Sequence, residues 1–187
     1  MIIDFQRRDI LFTRGGASVR AKYDFYATPR FVKLFRQRTG WSMYSLRRLL
    51  DRTLALLIRF GGPPRGRHAI LRLVLDVDAR MPASKPYRGS YERGMAQVWV
   101  NPDFSSYGEY RHYAHRPLLP LVRVDTLPQA IVAGVAHEAS HWLNLGRDQH
   151  LYWRSRQAKD GTEGICDLMS IVVMETVFRS ERRLEKT

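Results

Sequence analysis

The stretch V-A-H-E-A-S-H-W-L-N-L-G, residues 135–146, decides how this chain reads. On a helix, His137 and His141 stand one turn apart and project from the same face. Two imidazoles so placed can meet one metal ion at about 2.0–2.1 Å, and zinc is the usual occupant. Glu138 is turned by about 100° from His137, so it reaches a water on the ion and not the ion itself. The pattern H-E-x-x-H thus offers two ligands and a general base. The competing reading is a solvated amphipathic helix that carries two histidines, and the surrounding sequence decides between them.

Upstream, V-D-T-L-P-Q-A-I-V-A-G carries helix-start signals. Thr126 with Gln129 forms a capping box, and Pro128 falls in the first turn, where a missing N–H is tolerated. Gly146 is placed to end the helix. The spacing predicts a helix over residues 127–145. A catalytic zinc takes three protein ligands and keeps one open position. Downstream lies D-G-T-E-G-I-C-D, residues 160–167, at the start of a second predicted helix over residues 162–179 with Ile165, Leu168, Met169, Val172 and Val173 facing inward. Glu163 there can complete the ligand set. Asp167, one turn on, can accept a hydrogen bond from a ligand histidine and fix its tautomer. His150 is the alternative third ligand. Cys166 reads as a small buried residue whose direction the spacing leaves open.

H-E-A-S-H followed by E-G-I-C-D resembles the gluzincin branch of the zincin-like metallopeptidases. That resemblance rests on about 40 residues. It implies His137, His141 and Glu163 as Zn2+ ligands, Glu138 as general base and Asp167 as the partner of a ligand histidine. It further implies an α+β zincin-like fold, with a small, mostly antiparallel sheet packed on the H-E-x-x-H helix and a second ligand-bearing helix. Tyr152, between the two ligand elements, resembles the tyrosine that some gluzincins use to stabilise the oxyanion; His150 is the alternative. Asn144 and Arg147 stand where metzincins continue with glycine and a further ligand, so that branch does not fit. The activity implied is peptide-bond hydrolysis through a zinc-activated water.

The rest of the chain supplies the frame. Residues 2–26 read as strands around a turn at Gly15-Gly16, and helices are expected from Pro29 to Thr39-Gly40 and over residues 42–60. The breaker G-G-P-P-R-G, residues 61–66, separates a basic N-terminal region, 1–66, from a zincin-like domain, 67–187. Residues 69–78 alternate as a half-buried strand. M-A-Q-V-W-V-N-P, residues 95–102, reads as another, short or at the sheet edge because of Pro102, and it loosely fits the family's substrate-binding edge strand.

Charge is uneven. Residues 1–70 hold 15 Lys and Arg against 4 Asp and Glu, whereas residues 71–187 hold 16 against 14. Arginines interleave with Phe, Trp41 and Tyr44, so residues 1–60 are expected to meet nucleic acid or another acidic partner, set against the alternative of a merely solvated basic surface. No apolar run approaches the roughly 20 residues of a membrane span. A lone cysteine and the lack of a signal-like N-terminus point to the cytoplasm. The expected partner of the site is a protein or peptide substrate. The alternative function is a catalytically silent zincin-fold component, such as a nucleic-acid-associated, phage or assembly protein.

Overall fold

The computed structural model describes residues 6–14, 17–62, 70–82, 84–103, 109–110, 122–143 and 156–184. The chain is α+β. Strand β1 (Gln6–Arg14) turns back into β2 (Ala17–Ala27), and two helices follow, α1 (Pro29–Thr39) and α2 (Met43–Gly61). Next come β3 (Ile70–Val77), β4 (Tyr87–Glu92) and β5 (Met95–Val100), then the short pair β6 (Glu109–Tyr110) and β7 (Val122–Arg123). Helices α3 (Leu127–Trp142) and α4 (Arg156–Leu184) complete the described chain.

The main sheet has five strands in the order β1-β2-β3-β5-β4, and β6 pairs with β7 separately. It is mixed, not mostly antiparallel: β2–β3 and β3–β5 run parallel, β1–β2 and β4–β5 antiparallel. The physical reason lies in the connection. Helices α1 and α2 form the crossover from β2, which returns the chain to the end where β2 began, so β3 must run alongside it. Strands from both sides of the 61–66 breaker therefore share one sheet.

Of the expectation of a short or edge strand over residues 95–102, the strand is short, six residues, but it is not at the edge. Strand β5 lies inside the sheet, and β4 forms the edge. Pro102 comes after the last ladder residue, Val100, so it breaks no pairing. The hairpin between β4 and β5 turns through Arg93 and Gly94, with φ of 49° and 83°, the positive pair that a tight two-residue hairpin demands.

Strand alternation sends Tyr23 and Phe25, Leu71, Leu73 and Leu75, Tyr87, and Ala96, Val98 and Val100 into the core. Helix α3 packs centrally against strands β3, β4 and β5 and against all three other helices. Its residues from Leu127 to Ser140 are all buried, the apolar body together with Gln129, His137, Glu138 and Ser140. Thr126 and Gln129 form the capping box reciprocally. Gly134 lets α3 lie close on the sheet: a Cβ there would stand 2.7 Å from Val98 Cγ1. The helix is capped at Leu143; Gly146, expected to end it, lies outside the described residues.

Helix α4 begins at Arg156, earlier than expected, so Glu163 sits inside the helix and not in its first turn. Glu163, Cys166, Asp167, Ser170, Val173, Met174 and Val177 are buried at three-and-four spacing. Leu168, expected to face inward, is 54% exposed; it falls about 100° around the helix from Asp167, off the stripe that packs on α3. In the basic N-terminal region, Phe31 and Phe35 are fully buried and Trp41 packs edge-on against Phe35. Phe31 and Phe35 serve the core and are not open to stack on bases, whereas Trp41 is half-buried and Tyr44 and Phe60 are 66% and 45% exposed.

Candidate metal centre

The site forms where the last turns of α3 meet α4. His137 and His141 come from α3, one helical turn apart, with ring centroids separated by 5.3 Å. Glu163, Cys166 and Asp167 come from the facing stripe of α4. One donor atom each from His137, His141 and Glu163 lies within 4.8 Å of the others. His137 Nε2 is 3.2 Å from Glu163 Oε2, and His141 Nε2 is 3.7 Å from the same oxygen.

These spacings test the fit of an ion. Donors about 2.0–2.1 Å from a tetrahedral zinc stand about 3.4 Å apart along each edge. The two separations bracket that value, and the donor set is two nitrogens and one carboxylate. Charge points the same way. Glu138, Glu163 and Asp167 are all buried in a chain of net charge +13, and clustered buried carboxylates call for a cation. His137, His141 and Glu163 could therefore bind a metal.

Asp167 fixes His137. Its Oδ1 lies 2.7 Å from His137 Nδ1 in a fully buried contact. A carboxylate can accept but not donate, so Nδ1 carries the proton and Nε2 faces Glu163. Burial opposes charge on His137, but hydrogen bonds to Asp167 and Glu163 and the nearby charge of Glu138 outweigh it and push its pKa up to about 10. Burial alone would raise the Glu163 carboxyl, yet the hydrogen bonds from His137 and His141 hold it well below the usual carboxylate range. Without an ion, His137 thus acts as the cation between two carboxylates.

Glu138 is not one of the three converging groups but lies beside them. It is 2% exposed and turned toward β4. A Cβ built on Gly89 of that strand would overlap the Glu138 carboxylate, with Cδ at 2.6 Å. Glycine at 89 is what allows the sheet edge to close on this side chain. Burial raises the Glu138 carboxyl, opposed by the two histidines.

No known protein family, curated protein or solved structure matches the chain. The site therefore stands on its own geometry.

Two of its neighbours escaped the sequence reading. Tyr91 of β4 lies nearly parallel to the His141 ring, 6.2 Å between centroids. Gly89 is the other. Both belong to a strand that was not recognised, although the alternation Tyr87, Gly89, Tyr91 was its available signal. Cys166, whose direction was open, has Sγ 3.6 Å from His141 Nδ1. Burial, with the charges of Glu163, Glu138 and Asp167, raises its thiol well above the ordinary range, so it remains a protonated neighbour of His141. Tyr152 and His150 lie outside the described residues, as does the whole segment 144–155 that joins α3 to α4.

Proposed function

We propose that this chain is a zinc-dependent metallopeptidase of zincin-like, gluzincin type. The observation that carries the reading is the convergence of His137, His141 and Glu163, with Glu138 held beside them against the edge strand. When bound, zinc supplies Lewis acidity, polarising the scissile carbonyl and making a water acidic. Glu138 takes the proton from that water and hands it to the leaving amine. Burial raises its pKa, the direction that strengthens a base. Asp167 keeps His137 in one tautomer and orientation.

Strand β4 is the outer strand of the sheet and touches Glu138 through Gly89. An edge strand suits an extended peptide, which would bind by strand addition and bring a scissile bond to the site. The role expected for Tyr152 as oxyanion donor belongs to the same proposal, as does an acidic partner for residues 1–60. On α1, Arg30, Lys33, Arg36 and Arg38 are exposed, which supports charge contact more than base stacking. No helix among the described residues is long and apolar enough to cross a membrane.

The test is hydrolysis of a mixed peptide pool by the zinc-loaded protein. Glu138→Gln is expected to retain about one zinc and lose at least about 100-fold in rate. Full activity in that variant, with zinc retained, refutes the peptidase reading.

A further inference from the structure

The face of the sheet turned away from α3 carries a second concavity. Tyr87, Gly89 and Val98 meet α3, and strand alternation sends their neighbours Arg88 and Trp99, paired across β4 and β5, to the opposite side. Where β3 ends and the loop toward β4 begins, a cavity of about 670 Å3 opens, walled by Arg30, Arg80, Met81, Lys85, Arg88 and Trp99. That volume falls within the range of sites that hold small organic ligands, about 300–1,000 Å3.

The wall is cationic, with four basic side chains against one acid, Asp78. Two of the four are already engaged. Arg30 binds Asp76 through two contacts of 2.6 Å. Arg88 binds Asp78 at 2.8 Å, and its guanidinium lies 4.6 Å over the Trp99 ring. Arg88 is thus held between Asp78 and Trp99 and is still half-exposed. The side chains of Arg80 and Lys85 have no partner among the described residues. The concavity thus combines two positive charges without a side-chain partner among the described residues, the Arg88–Trp99 pair and the apolar, largely buried Met81.

We propose that this cavity binds a phosphate ester carried on a flat ring, as in a nucleotide. Arg80 and Lys85 neutralise the phosphate, and the ring stacks on the outer plane of Arg88 or packs on Trp99 and Met81. The phosphate belongs either to a free nucleotide or to a single nucleic-acid strand. Of the basic region expected to meet nucleic acid, residues 1–60, Arg30 alone lines this cavity, and the proposal is independent of the peptidase reading.

The test measures binding to the full-length, zinc-loaded chain at about 50 mM salt, where phosphate contacts are strong. Magnesium ADP is titrated by calorimetry, and a labelled ten-residue oligothymidylate by fluorescence polarisation. The double variant Arg80→Ala/Lys85→Ala is compared with Arg123→Ala/Arg179→Ala, which removes two exposed arginines outside both this cavity and residues 1–60. A loss of tenfold or more in the first, with less than threefold in the second, is expected. Loss for ADP assigns the site to a free nucleotide; loss for the oligonucleotide alone assigns it to a strand. Should the double variant lose its zinc, the single variants Arg80→Ala and Lys85→Ala replace it, each expected to weaken binding at least threefold. No binding of either probe, or equal losses in the two double variants, overturns the proposal.

Discussion

Asp167→Asn perturbs the site without touching a ligand. The Asp167 side chain is fully buried, with Oδ1 2.7 Å from His137 Nδ1. The asparagine oxygen can still accept the Nδ1 proton, so the tautomer survives while the charge is lost. Removing such a partner of a ligand histidine lowers metal affinity about 10–100-fold, or about 1.4–2.7 kcal/mol. Asparagine is expected near the lower limit. Asp167→Ala, which also strands a buried N–H, is expected near the upper one. Competition against a chromophoric zinc chelator at pH 7 measures both, with far-UV circular dichroism to confirm the fold. Zinc affinities within twofold of the parent chain in both variants would refute the coupling of Asp167 to the metal through His137.

Gly89→Ala pushes a methyl group into the Glu138 carboxylate. Zinc affinity should stay within threefold while peptide hydrolysis falls about 100-fold, since about 1 Å of misplacement costs that much; unchanged turnover would place Glu138 away from the chemistry. Gly134→Ala sets a methyl 2.7 Å from buried Val98. Overpacking of about 1–3 kcal/mol exceeds the helix gain of about 1 kcal/mol, so the midpoint of thermal unfolding should fall by a few degrees, and a rise contradicts the close packing of α3 on the sheet. In the metal-free chain, His137 has its pKa raised to about 10. A raised histidine stabilises the fold fully below its ordinary value of about 6.5, and that contribution disappears as pH climbs through about 10. The same shift means that zinc binding at pH 8 should release about one proton from His137, seen by calorimetry in buffers of different ionisation enthalpy; a release near zero would show an ordinary histidine.

Much of the site was legible because it is local. The capping box at Thr126 and Gln129, the all-apolar body of α3 and H-E-x-x-H sit within one continuous helix, and helix periodicity places Glu163 and Asp167 on one stripe of the next. What the sequence concealed is non-local. Strand β4, Y-R-G-S-Y-E, holds no β-branched residue, and its turn, Arg93-Gly94, lacks the usual Asn-Gly or Asp-Gly signal. Pro102 suggests an edge for β5, and without a signal for β4 nothing in the sequence connects Gly89 and Tyr91 to the site. The parallel pairing of β2 with β3 depends on how α1 and α2 return the chain, and that of β3 with β5 on the β4–β5 hairpin, which no strand pattern encodes. Leu168 reads inward on hydrophobicity, yet Glu163 and Asp167, bonded to His137, set which stripe of α4 faces α3.

X-ray absorption at the zinc edge tests the proposed centre most directly. His137, His141 and Glu163 should give a first shell of nitrogen and oxygen at about 2.0–2.1 Å, with the outer-shell scattering of two imidazoles and no sulfur. A sulfur neighbour at about 2.3 Å would put Cys166 on the metal in place of one of these ligands, and a protein that binds no zinc would remove the centre altogether.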